Sequence, residues 1–123
     1  MVKRQQFPHL YRLKKPAEFR AVFNIPKKIT EPPIAVFWQK NLMAHPRLGL
    51  AIAKKNIRHA VMRNRIKRVL REYFRQHRLS LGGFDIIIVA YKGAEALNRT
   101  ELRHIVQKLW KKLQVQCANS ASN

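Results

Sequence analysis

A chain of 123 residues has the length of one domain, and 46% hydrophobic residues set it among folded globular proteins rather than disordered basic tails. Its 26 Lys and Arg against six Asp and Glu give a formal charge of +20 at pH 7, which must face solvent or a polyanion because uncompensated charges are not buried. The balance favours nucleic acid as partner over an anionic membrane surface, and it argues against a two-domain enzyme.

Residues 1–15 are basic and carry no clear period, so an extended arm is expected. Pro16 suits the first turn of a helix and Glu18 complements its positive end, while Phe19, Val22 and Phe23 fall on one face. These features predict a short helix over 16–24. Pro26, Pro32 and Pro33 bracket an expected loop that holds Lys27 and Lys28. From Ile34 to Gln39 the pattern is a strand, with Ile34, Val36 and Trp38 on one face and Ala35 and Phe37 on the other. A second strand spans Arg47 to Ala53, where Leu48, Leu50 and Ile52 alternate with Gly49, Ala51 and Ala53. The small residues of that second face leave room for a close neighbour. Asn56 is the expected N-cap of the longest helical pattern, Ile57 to about His77. A turn over Leu79–Gly83 precedes Phe84–Tyr91, a nearly continuous apolar strand of the kind buried on both faces. Asn98 or Thr100 caps a last helix, with Glu101 placed for a capping box from Asn98 and a stripe of Leu102, Ile105, Val106, Leu109 and Leu113. Fraying is expected from Asn119 to Asn123.

This order predicts an α+β fold in a single domain, a compact α/β sandwich with about four strands, three helices and one βαβ unit from Arg47 to Tyr91. General statistics make such a crossover right-handed. The basic N-terminus lacks the apolar stretch of a signal peptide, and the run Ile86–Tyr91 is too short to cross a bilayer, so the cytoplasm is the default compartment. Cys117, the single cysteine, excludes an intrachain disulfide and a cysteine zinc cluster and reads as an idle thiol. His9, His45, His59, His77 and His104 show no metal-ligand spacing and are expected to be surface or structural residues. Trp38 and Trp110 read as core or rim residues.

Between Lys54 and Arg78 there are ten Lys or Arg among 25 residues and one acid, Glu72. At 100° per residue, Met62, Ile66, Val69, Leu70 and Tyr73 form one apolar stripe, opposite Asn64, Lys67, Arg68, Arg71 and Arg75. Arg63 and Arg65 flank the stripe. A face with so few acids repels itself unless a polyanion neutralises it, and the planar fork of arginine suits phosphate oxygens. A membrane reading would need the stripe exposed, whereas it is accounted for by packing on the two strands.

The run Arg63-Asn64-Arg65-Ile66-Lys67-Arg68, preceded by Lys54-Lys55 and Ala60-Val61, resembles the signature helix of the bacterial ribonuclease P protein subunit. Arg12-Leu13-Lys14-Lys15 with Glu18-Phe19 and Val22-Phe23 is similar to that family's opening, Arg47-Leu48-Gly49-Leu50 to its second strand, and Asp85-Ile86-Ile87-Ile88-Val89-Ala90 with Lys92 to its later strand. The resemblance covers about residues 10–113. It implies an α/β sandwich with a left-handed βαβ crossover, against the general rule. It also implies an RNA catalyst that removes the 5′ leader of precursor tRNA with metal-activated water, the Mg2+ being held through the RNA and none by this chain. By that resemblance Lys54, Lys55, Arg63, Asn64, Arg65, Lys67, Arg68 and Arg71 face the catalytic RNA, while Phe19, Phe23 and Phe37 line the leader cleft, where single-stranded bases stack on rings. No residue of the chain is expected to be catalytic, and neither a membrane nor an obligate protein partner is expected. The rival readings are a ribosomal or assembly RNA-binding protein, a self-sufficient nuclease and a helix-turn-helix DNA binder. The strands and the lack of a short paired helix before Ile57 count against the last.

Overall fold

Alternating side chains in the strands divide the interior into two apolar layers on either side of one sheet. The computed structural model describes residues 11–24 and 27–121. Its elements are α1 (Pro16–Phe23), β1 (Lys28–Glu31), β2 (Ile34–Lys40), β3 (Arg47–Ala51), α2 (Ala60–His77), β4 (Phe84–Ala90) and α3 (Arg99–Ala121), with single 3-10 turns at Arg78–Ser80 and Ala94–Ala96. The strand order is β1-β2-β4-β3. β2 runs antiparallel to both β1 and β4, whereas β3 and β4 are parallel, so α2 is the crossover of a βαβ unit.

The larger layer sets Ile34, Val36 and Trp38 of β2 with Leu48, Ile86 and Ile88 against Ile66, Leu70 and Phe74 of α2 and Leu102, Val106, Leu109 and Leu113 of α3. Burying each such side chain contributes about 1.5–3 kcal/mol, so the stability of the fold resides chiefly here. Both tryptophans are buried, and the Trp110 indole donates to Ser80 Oγ at 2.8 Å. On the opposite face Ile87 meets Val22 of α1 and Leu13, with Phe19, Phe37, Ala51 and Val89 partly buried around them. Gly49 makes this approach possible: a Cβ there would lie 2.7 Å from Phe19 Cζ and 3.2 Å from Leu13 Cβ. Just before α1, Arg12 bridges to Leu48 in parallel and Leu13 N–H donates to the Leu48 carbonyl at 2.9 Å along the β3 edge. Residues 1–10, which include His9, and Ile25, Pro26, Ser122 and Asn123 lie outside the described residues.

Beyond shifts of one or two residues at strand ends, three differences from the sequence reading stand out. The expected loop around Lys27 and Lys28 contains β1, whose prolines flank the strand instead of interrupting it, and Lys28 pairs in register with Phe37. Asn56 does not cap α2. Its N–H and that of Ile57 close a turn on the Ala53 carbonyl, Ile57 is buried, and the helix starts at Ala60 with His59 as N-cap. Burial of Ile57 in the core takes the chain away from the helical path there. At the other end α3 continues to Ala121, past the point of expected fraying, with Cys117 buried beneath its last turns. Burial pushes the Cys117 thiol up to about 12, which keeps it protonated and inert. The reciprocal box at the start of α3 is formed: Asn98 Oδ1 accepts from Glu101 N–H at 2.8 Å, and Glu101 Oε1 accepts from Asn98 N–H at 3.0 Å.

Candidate nucleic-acid interface

Helix α1 is held on the sheet by a charged network rather than by its short apolar stripe alone. Glu18 accepts hydrogen bonds from the Lys14 and Lys15 backbone N–H groups at 3.2 and 3.0 Å and from Arg47 Nη1 at 2.7 Å. The other side of the Arg47 fork donates from Nε and Nη2 to the two oxygens of Asp85 at 2.9 and 2.8 Å. Asp85 is buried and also accepts from Asn41 Nδ2 at 2.9 Å. The parallel register sets Arg47 opposite Asp85 across β3 and β4. The Lys15 N–H, with smaller contributions from Lys14 and Arg47, holds the Glu18 carboxyl below its ordinary pKa against the opposing effect of burial.

This anchoring turns the three aromatic residues toward one another. Val22 is the fully buried residue of α1, whereas Phe19 is half-buried and Phe23 is 40% exposed. The Phe23 ring lies 4.9 Å from that of Phe37 in an edge-on contact and 6.4 Å from that of Phe19. Lys28 Nζ stands 5.4 Å from the Phe37 centroid and 5.9 Å from that of Tyr91. An ammonium over ring faces gives a surface suited to stacked bases and their phosphates.

On α2 the expected apolar stripe is inward, with Ile66, Val69, Leu70 and Tyr73 buried and Met62 packed against them. The cations are not equivalent. Arg63 Nη1 donates to the carbonyls of Ile57 and Arg58 at 2.8 Å, which fastens the entry of the helix. Arg65 Nη2 donates to the Leu97 and Glu95 carbonyls at 2.9 and 3.3 Å, which ties α2 to the segment before α3. Arg75 pairs with Glu72. Asn64 and Arg68 are exposed, as are Lys54 and Lys55 at the helix entrance. Lys67 and Arg71 lean instead into a groove of about 320 Å³ shared with Arg12, Lys14, Phe19 and Leu48. Burial, and to a smaller extent the neighbouring Arg12, lowers the Arg71 pKa. The basic helix and the aromatic face therefore meet at Phe19.

Arg12, Lys14, Lys28 and Tyr91 belong to this surface and were not among the site residues read from the sequence. A local signal existed for the first pair: Leu13 between two cations has the alternation of an extended segment with its apolar side inward. No local signal reveals Lys28, whose position over Phe37 follows from cross-strand register.

A family model described as Ribonuclease P matches residues 7–114. The ribonuclease P protein component of Proteus mirabilis is 41% identical over 106 residues, 86% of this chain and 89% of that protein. The component of Stutzerimonas stutzeri is 45% identical over 112 residues, covering 90% and 86%. The solved RNase P protein of Staphylococcus aureus matches with a TM-score of 0.79 at 30% identity over 84% of this chain and 94% of that one. The basic helix, the aromatic face and the mixed sheet thus sit in a chain matched over most of its length by ribonuclease P proteins, and the chain belongs to the ribonuclease P protein family.

Proposed function

We propose that this chain, as the protein component of ribonuclease P, docks on the catalytic RNA through α2 and holds the 5′ leader of precursor tRNA on its aromatic face. The observation that carries the reading is the groove where Lys67 and Arg71 of α2 stand beside Phe19 of α1. Cations suited to phosphates beside a ring suited to bases support reading the two surfaces as parts of one RNA-binding face. Lys54, Lys55, Asn64, Arg68 and the outer donors of Arg63 and Arg65 face the catalytic RNA, and Phe19, Phe23 and Phe37 take the leader. Among the described residues no three His, Cys, Asp or Glu side chains converge on a common point, and Glu18 and Asp85 are engaged by Arg47. These donors do not fit a metal centre, so the reading assigns Mg2+ and the hydrolytic chemistry to the RNA, with this chain positioning substrate. No helix among the described residues is long and apolar enough to cross a membrane.

Cleavage of a precursor tRNA with and without the RNA partner tests the proposal. The expected result is leader removal stimulated by the protein only when the catalytic RNA is present; cleavage by rigorously RNA-free protein would overturn it. The docking surface has its own signature. Neutralising about six phosphates gives a slope of log affinity against log salt on the order of −4 to −5, and Arg68→Ala is expected to flatten it by about 0.7–0.9. An unchanged slope would place Arg68 on an idle face.

A further inference from the structure

The exposed ridge of α2 separates two grooves, and the second meets the surface described above only at Arg68. Two adjoining depressions of about 290 and 330 Å³ run between α2 and α3 and share Tyr73 and Arg103. Arg68 and Gln76 stand on one bank and Arg99 and Arg103 on the other, with His77 and His104 further along. The floor is rigid: the Tyr73 ring stacks on His77 at 3.9 Å and meets Trp110 edge-on at 5.7 Å. Glu72, the acid of this groove, is hydrogen-bonded by Arg75 and Gln76. None of the ion pairs formed by the described residues engages Arg68, Arg99 or Arg103.

We infer that the α2–α3 groove is a second RNA-binding surface, which grips a sugar-phosphate strand of the catalytic RNA. Glu72 is the single carboxylate lining the groove and is already held by Arg75 and Gln76, so three guanidinium groups on facing helices leave an excess of positive charge whose forked donors match phosphate oxygens. Arg99 and Arg103 lie one turn apart on α3, about 6 Å along the axis at 1.5 Å per residue, and the groove continues another turn to Gln107. That length exceeds one phosphate and suits a strand. Gln76, Gln107 and the two histidines add donors and acceptors of the kind that 2′-hydroxyls engage. The catalytic RNA is the source because Arg68 belongs both to this groove and to the α2 ridge that faces that RNA. The aromatic face lies across the sheet, against α1. The inference therefore rests on the docking of α2 proposed above and extends the RNA footprint onto α3.

The test uses the full chain with the catalytic RNA alone and with the assembled holoenzyme. Arg99 and Arg103 are exposed, so alanine at either position should leave the melting temperature unchanged. Arg103→Ala is expected to flatten the salt slope for the catalytic RNA by about 0.7–0.9, and Arg99→Ala with Arg103→Ala by about twice that. The preference of the holoenzyme for precursor over mature tRNA should not move. Lys111→Ala, on an exposed α3 position outside the groove, should leave the slope nearly unchanged. Equal flattening by Lys111→Ala and Arg103→Ala would overturn the groove in favour of a diffuse field, and a loss confined to precursor tRNA would overturn the choice of RNA. An unchanged slope for the Arg99 and Arg103 double variant, with Arg68→Ala still effective, would remove the groove and leave the docking of α2 standing.

Discussion

Replacing Arg47 by methionine is expected to lower the unfolding free energy by about 3–5 kcal/mol at neutral pH, the usual consequence of removing one partner of a buried ion pair. Asp85 would remain with a side chain only 5% exposed, facing the position its counter-ion had occupied. Arg47 itself keeps 16% exposure, and residual screening by water places the expected loss toward the lower end of that range. Urea denaturation followed at pH 7 measures it, and a loss below about 1 kcal/mol would show that the network contributes little. Acid acts on the same network through Glu18. Its folded-state pKa lies below the usual 4.5, so its contribution is complete above about that pH and is lost as the pH falls through the lower folded value. In the Arg47→Met protein that acid-dependent loss should shrink without vanishing, because the Lys14 and Lys15 N–H groups still bind the Glu18 carboxylate. The consequence reaches the proposed leader face. Arg47 couples the first turn of α1 to β3 and β4, and Phe19 lies one residue beyond Glu18.

What was legible in the sequence depended on whether an element's own pattern determined its structure. β2 and β4 carry their burial in alternation or in continuous apolar residues, and α2 carries a stripe broad enough to mark its inward face. The Asn98 and Glu101 box is likewise written within four residues. β1 is different: four residues with Ile29 as the single large apolar side chain have no pattern of their own, and pairing with β2 makes them a strand. The start of α2 was misplaced because Ile57 is drawn into a core assembled from distant segments. The same distinction holds for the site. A helix with ten cations in its neighbourhood is visible locally, whereas the division of those cations between an inner groove, backbone ties and an outer ridge depends on α1, α3 and the segment before α1. The Arg47–Asp85 pair spans 38 positions and exists only in the parallel register of β3 on β4. The convergence of Phe19, Phe23 and Phe37 had no local signal either. Family resemblance supplied those residues, and the geometry that brings them together came from the fold.

Phe23→Ala is expected to weaken the binding of precursor tRNA to the holoenzyme by roughly 1–3 kcal/mol, the contribution of one base stacked on an aromatic ring. Mature tRNA should bind nearly as before, because it has no leader to stack. Phe23 also had a plausible role as an ordinary core residue, since it falls on the same helical stripe as Phe19 and Val22. Its 40% exposure argues against that role, as does its absence from both buried clusters. Truncating a buried phenylalanine typically costs about 3–5 kcal/mol. Here the stability loss should be far smaller, and its main component is the edge-on contact with Phe37, a kind of contact that contributes about 0.5–1.5 kcal/mol beyond burial. Two affinities and one melting curve therefore separate the roles. A large fall in melting temperature would return Phe23 to the core. Equal losses for precursor and mature tRNA, with the fold intact, would falsify the leader assignment, because a surface that stacks only the leader must distinguish the two substrates by the segment that cleavage removes.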